Sequence, residues 1–470
     1  MVIREHWYLW SWLLPLGIML LATSHTRGRR AYRVALSLPL ALALAFVGYS
    51  LCGYAFQFGG IGLIRKDPAF QHLLGEWSPL DPLLGPGWGL VGVCGFLFDP
   101  RAASQAELNL FASQLPFLTA TVLIPLTTLY GRIPKLGVFF IGLLAACLCY
   151  PLGGNWLWGG GWLTQLGKTL SLGRGFIDQS GSSLLTLGGW LALAGLAAFR
   201  QYGAVVSSQE PAELPQPQLP LHASIGALLA LLGWLAWLGG QPFGPQLSDK
   251  ELLTCILWVG VPSILGAFLY GWLARGELDL LLCTRALVAS LIAGGPGLLS
   301  LSTGQLATIG LLSGFFLAPA MYLVEFGLRL DDQAAAVSTY GFAGAWGILA
   351  LGLFSIHRQN LEQLGAQALG LAGLLVLSGL IPWVLSAILA QAYAFPAALK
   401  AEAQARAQRL LEEKRKREHL LYQGRRRYWQ AKLAALYQRG QAFLGQQWER
   451  LQAKRKHPPQ EESSEAKGQG

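Results

Sequence analysis

Charge is scarce in this chain: Asp, Glu, Lys and Arg together make up 13% of 470 residues. That shortage excludes an ordinary soluble globule of this length, whose surface needs roughly twice that share. Imidazole is missing where a bilayer would use it. All seven histidines, His6, His25, His72, His222, His357, His419 and His457, fall at the ends of apolar runs, in loops or in the tail, so none can shuttle a proton at mid-depth. Six cysteines, Cys52, Cys94, Cys147, Cys149, Cys255 and Cys283, lie mostly within apolar segments. None has the spacing of a metal site or redox pair, so they read as packing residues. No metal or cofactor is expected, and with no nucleophile–base pair in view an enzyme is not expected either. No cleavable signal is evident, because the first apolar run lacks a small-residue cleavage site and suits a retained helix.

What the chain has instead is apolar mass: 53% hydrophobic residues and 58 glycines. Runs long enough to cross roughly 30 Å of hydrocarbon lie near 7–23, 32–56, 107–130, 135–151, 181–199, 222–240, 251–273, 281–298, 304–326, 336–355 and 369–394. They predict an all-α polytopic membrane protein with eleven transmembrane helices, its two ends on opposite faces. Orientation follows from the basic residues, which accumulate on the cytoplasmic side. Arg27, Arg29, Arg30 and Arg33 crowd the loop after the first run, and 17 of the 35 Lys and Arg lie beyond residue 396. The C-terminus is therefore expected in the cytoplasm and the N-terminus outside. Glycine pairs at 59–60, 153–154, 188–189, 239–240 and 294–295 suit close helix packing.

Two stretches carry more than composition. One runs Tyr150-Pro151-Leu152-Gly153-Gly154-Asn155-Trp156-Leu157-Trp158-Gly159-Gly160-Gly161-Trp162 and continues to Asp178-Gln179-Ser180-Gly181 before an apolar helix. The other has Asp331-Asp332 followed by Gly341-Phe342-Ala343-Gly344. Their order and spacing resemble the ammonium transporter (Amt/Rh) family. In that family a Tyr/Pro run leads to His-x-x-Trp-Gly-Gly-Gly, and each of two aspartates precedes a pore histidine by eight residues. Here those two positions are Thr186 and Tyr340. The resemblance covers most of residues 1–395 and implies a 5+5 inverted repeat plus one helix. It also implies a homotrimer with one pore per subunit. Eight helical residues at about 1.5 Å each place Thr186 and Tyr340 roughly 12 Å below their aspartates, measured from opposite faces, so both are expected near the midplane.

The same resemblance assigns further residues. Phe111-Ala112-Ser113-Gln114-Leu115-Pro116-Phe117 is similar to the family's Phe-Gln-x-x-Phe, which makes Phe117 an outer gate residue. Gly233-Trp234-Leu235-Ala236-Trp237-Leu238-Gly239-Gly240-Gln241 places Trp237 at the second gate position and Gln241 where a serine would contact the cation. Trp158 matches the vestibule tryptophan. Aromatic faces can hold a small cation for about 0.5–2 kcal/mol each, although most of 17 tryptophans in a membrane protein are interface anchors and filler. Asp178 and Asp332 read first as N-caps, and the resemblance adds a compatible role as structural supports of the vestibule. A Tyr hydroxyl titrates near 10 and a Thr hydroxyl outside any useful range, so neither replaces an imidazole. Arg285 and Glu325, at similar depth, read as an intramembrane packing pair.

Residues 396–456 change character. Trp429, Leu433, Leu436, Phe443, Leu444, Trp448 and Leu451 recur at helical spacing, and the segment from 396 onward contributes a net +9 of the chain's +10. This predicts a basic amphipathic cytoplasmic helix, with residues 400–456 meeting anionic lipid or a protein partner; nucleic acid is not expected. Residues 457–470 are expected to be disordered. Two functions stay open: a transporter or channel for ammonium, ammonia or another small neutral molecule, and a non-conducting relative acting as sensor, scaffold or subunit of a membrane complex.

Overall fold

Lipid offers no partner to backbone N–H and C=O groups, so so apolar a chain can enter it only with every peptide bonded internally. The computed structural model describes residues 7–26, 28–200, 219–241, 247–355, 360–392 and 430–449, with single positions at 408, 412 and 452. The apolar runs are helical: α1 (Trp7–Thr23), α2 (Ala31–Ile64), α3 (Gln105–Leu129), α4 (Lys135–Gly159), α5 (Ser182–Ala198), α6 (Pro220–Gly240), α7 (Asp249–Ala274), α8 (Leu280–Gly297), α9 (Thr303–Gly327), α10 (Val337–Phe354) and α11 (Leu361–Ala392). Among the described residues nine are long and apolar enough to span a bilayer, while α1 and α5 are shorter. The chain is an integral, multi-pass membrane protein.

Three boundaries differ clearly from the hydropathy reading. Helix α2 runs on to Ile64, α4 runs on to Gly159 and α11 begins at Leu361, because hydropathy marks the length of lipid crossed whereas helical hydrogen bonding continues past it.

Helix α3 is among the most enclosed. It opens with a capping box, in which Ser104 Oγ accepts from the Glu107 amide and Glu107 Oε2 accepts from the Ser104 amide at 2.9 Å. From Pro116 to its end it is buried, including Thr119, Thr121, Thr127 and Thr128. Around it α1 packs on α6, α5 on both α3 and α10, and α7 on α9. The α1–α6 crossing depends on missing side chains: a Cβ on Gly226 would fall 2.7 Å from the Leu21 amide nitrogen.

Between α2 and α3 the chain forms a small antiparallel hairpin. Strand β1 (Glu76–Trp77) pairs with β2 (Val91–Gly92) in the register Glu76 to Gly92 and Trp77 to Val91. The hairpin is tied to the turn after α4, where the Trp162 amide donates to the Gly89 carbonyl at 3.0 Å and Trp156 Nε1 donates to the Leu90 carbonyl at 2.9 Å.

Residues 1–391 form one compact unit and 392–470 a second. In the second, 430–449 is helical with every side chain exposed. Trp429, Leu451 and the segment 457–470 lie outside the described residues.

Candidate functional site

Phe117 on α3 and Trp237 on α6 are buried against each other, with ring centroids 3.7 Å apart and planes 12° from parallel. Trp234 adds a tilted contact to Phe117 at 5.6 Å. Trp158 lies 6.0 Å from Trp237, on a π-helical turn, Asn155–Gly159, that ends α4. Such turns widen a helix by one residue and recur at functional sites. The N-terminus of α5 completes the cluster: at Gly181, which has φ 70°, a Cβ would overlap Trp158 and fall 2.8 Å from Trp237. Three of the expected gate and vestibule residues therefore converge, and one face of Phe117 is covered by Trp237.

Gln241 follows α6 and is tied inward. Its Oε1 accepts from Gln114 Nε2 at 3.1 Å, Gln114 Oε1 accepts from Tyr150 at 2.8 Å and Gln57 Nε2 at 3.3 Å, and Gln57 Oε1 accepts from Tyr49 at 2.8 Å. This chain of amides and phenols links α2, α3, α4 and the end of α6. The buried Gln241 Nε2 has no partner among the described residues, so Gln241 turns a donor, not an acceptor, away from the network.

Asp178 organises the start of α5. Its Oδ2 accepts from the Ser183 amide at 2.7 Å and the Ser183 hydroxyl at 2.6 Å, and its Oδ1 accepts from Ser180 and Ser182. Asp332 does the same for α10. Its Oδ2 accepts from the Val337 amide at 2.8 Å, while Oδ1 accepts from the Ala336 amide and from Thr128 of α3 at 2.7 Å. At both helices the aspartate accepts its shortest backbone hydrogen bond from the amide five places on. Beside Asp332, Arg132 pairs with Asp331 at 2.9 Å.

Thr186 and Tyr340 come to one crossing of α5 and α10. Both are buried. A Cβ on Gly344, one turn after Tyr340, would overlap the Thr186 hydroxyl, and one on Gly189 would overlap the Gly341 amide and fall 2.9 Å from the Tyr340 carbonyl carbon. The Thr186 hydroxyl donates to the Ser182 carbonyl at 3.1 Å. Tyr340 sits in a second π-helical stretch, Val337–Phe342.

The expected Arg285–Glu325 contact pair is not formed. Arg285 donates through Nη2 to the Gln333 carbonyl at 2.6 Å, and its Nε and Glu325 Oε1 have no hydrogen-bond partner among the described residues. Its electrostatic neighbours are Asp332, Glu325, Asp279 and the Tyr340 phenol, so the two charges interact at longer range.

A cavity of about 1010 Å3 lies elsewhere, its lining including Tyr8, Arg65, Asp67, Asn109 and Gly240 but not Phe117, Trp158, Thr186 or Tyr340. No group of three or more His, Cys, Asp or Glu is placed to hold a metal among the described residues. The amide network was missed from sequence, although three glutamines in or beside apolar helices were its signal, since a buried amide requires partners.

Comparison with known proteins places this arrangement. The family model described as Ammonium Transporter Family matches residues 6–409. Ammonium transporter Amt2 of Archaeoglobus fulgidus is 28% identical over 58% of this chain and 59% of its own length; the match thus spans less than two thirds of that relative. The ammonium transporter of Bacillus subtilis is 22% identical over 74% of this chain and 78% of its own length. Among solved structures, one described as a sensor Amt protein superposes with a TM-score of 0.67 at 20% identity, covering 83% of this chain and 94% of the other. Saccharomyces cerevisiae Mep2 gives 0.65 at 18%, covering 83% and 86%. The protein belongs to the ammonium transporter family.

Proposed function

We propose that this protein admits ammonium at a closed aromatic mouth and passes it as neutral ammonia, without proton coupling. The observation that carries the reading is the buried crossing of α5 and α10, which brings Thr186 and Tyr340 together with hydroxyls where the family resemblance expects two imidazoles. Ammonium that leaves its proton outside can move through such a constriction as ammonia, and a phenol or an aliphatic hydroxyl cannot relay the proton near neutral pH. Phe117, Trp158 and Trp237 form the mouth, and Trp237 must swing from Phe117 before a guest can stack there. Asp178 and Asp332 hold the two helices that bear the constriction. Their matching caps, five residues on in each half, support the 5+5 inverted repeat, and the eleven apolar helices read as eleven spans. The N-terminus then lies outside and the C-terminus in the cytoplasm. By the resemblance the protein forms a homotrimer of such pores. The basic tail rests on anionic lipid, its exposed Leu433, Leu436, Phe443, Leu444 and Trp448 supplying the apolar face.

A stopped-flow assay on proteoliposomes tests the reading. Ammonium addition should alkalinise the lumen faster than in empty vesicles, and equal rates contradict conduction. A second reading, a non-conducting sensor, is favoured by the Phe117–Trp237 stack that seals the mouth and by the likeness to a structure described as a sensor Amt protein.

A further inference from the structure

The hairpin and the end of α4 meet at a carboxyl group that the pathway does not use. Glu76 opens β1, and its Oε2 accepts from Asn155 Nδ2 at 3.3 Å. The same nitrogen donates to the Gln57 carbonyl at 3.3 Å. Glu76 Oε1 and Asn155 Oδ1 are both buried, and neither has a hydrogen-bond partner among the described residues; Asn155 as a whole is 0% exposed. The two oxygens lie against one piece of backbone. A Cβ on Gly89 would overlap Glu76 Oε1 and one on Gly161 would fall 2.8 Å from Asn155 Oδ1, while Gly89 and Gly161 are partners in a parallel β-bridge. On the other side a Cβ on Gly60 would overlap Glu76 Oε2. Glycines on both flanks leave room for the carboxyl group and for no side chain beside it.

Two unsatisfied acceptors buried against the two partners of one β-bridge are costly, and a shared donor removes the cost for both. Among the described residues no cation supplies it. The charged group acting on Glu76 is Asp81, itself a carboxylate that accepts from the Trp88 amide at 2.8 Å. The packed elements, Gly59–Gly60, Val91–Gly92 and the turn 155–161, present no titratable side chain to it.

We propose that Glu76 is carried as the neutral acid and donates its Oε1 proton to Asn155 Oδ1, closing an acid–amide ring of two hydrogen bonds that positions the Trp158 turn. Burial is the main cause that raises the Glu76 pKa to about 7, with Asp81 adding to it and the Asn155 bond opposing. Asn155 is the first residue of the π-helical turn that carries Trp158, so Glu76 is a positioning residue for the mouth, a role that rests on Trp158 facing the pathway.

The sign of the pH dependence follows. A carboxyl that titrates higher folded than unfolded contributes its full stability below the unfolded value of about 4.5 and loses it as pH rises through about 7. Thermal unfolding of the full-length protein in detergent between pH 4 and 9 reads this without any reference to transport. Native protein should lose melting temperature across that window. Glu76→Gln, whose amide can donate to Asn155 Oδ1, should not, and should melt above native protein at pH 8.5. Glu76→Ala should melt below Glu76→Gln at every pH. Infrared difference spectra at pH 5 should contain a protonated-carboxyl band that Glu76→Gln lacks. If Glu76→Gln follows the native pH profile and the band is unchanged, the group is an ordinary carboxylate bridged by water and the proposal is overturned. A normal thermal result with no effect of Glu76→Ala on flux would instead remove Trp158 from the pathway.

Discussion

One face of Phe117 is covered by Trp237, stacked 3.7 Å away and 12° from parallel. A stacked aromatic pair contributes about 0.5–1.5 kcal/mol beyond its buried area. Trp237→Ala removes that closure, and methylammonium uptake into proteoliposomes should rise by about 2- to 10-fold, the same energy expressed as a rate ratio. Unchanged uptake would mean that the stack does not limit entry.

Gln114 gathers three bonds, from Tyr150, from Gln57 and to Gln241. Gln114→Ala strands all three partners inside the protein, with a cost of about 1–3 kcal/mol for a buried group left unpaired. Gln241→Ser breaks only the outermost link and should cost less than half as much. Denaturant unfolding of the two variants in the same detergent checks the order; equal destabilisation would show that the network is not what anchors α3.

The α5–α10 crossing leaves no room at Gly344 or Gly189. Gly344→Ala would set its methyl group against Thr186 Cβ as well as its hydroxyl, and Gly189→Ala would set one against the Gly341 backbone. Overpacking costs about 1–3 kcal/mol, and a Cβ, like backbone, cannot move by a rotamer change, so both variants should lose thermal stability and flux.

Much of this was legible in the chain. Hydropathy located the apolar helices, and the Asp-to-Thr186 and Asp-to-Tyr340 spacings pointed to two positions that the fold brings to one crossing. Pairwise contacts between distant segments were not legible. Arg285 and Glu325 looked like partners because both are isolated charges at one depth, yet the arginine turns to the Gln333 carbonyl, an acceptor that sequence cannot advertise. Glu76 lies in a Gly- and Pro-rich stretch with no helical periodicity, and the hairpin register that half-buries it depends on pairing with Val91–Gly92, a segment that begins fifteen residues on. Gln241 was read as a contact for the cation, and the hydrogen bond it accepts from Gln114 joins two segments 127 residues apart that no local pattern connects.

Asp178 accepts hydrogen bonds from two backbone amides and three hydroxyls at the head of α5. Asp178→Asn keeps the shape but turns one acceptor into a donor facing Ser183, which should lower stability by about 1–3 kcal/mol. Asp178→Ala loses the cap as well and should fall further. Melting temperatures of the purified variants test this. Flux should drop with them, because Gly181, which touches Trp158 and Trp237, lies within the capped turn.

The central claim is passage without proton coupling, and ammonium-evoked current across a supported membrane of proteoliposomes tests it most directly. Native protein is expected to give no current above protein-free vesicles while still speeding luminal alkalinisation, whereas Thr186→His with Tyr340→His is expected to introduce current. A sustained, concentration-dependent current from the native protein would contradict the account.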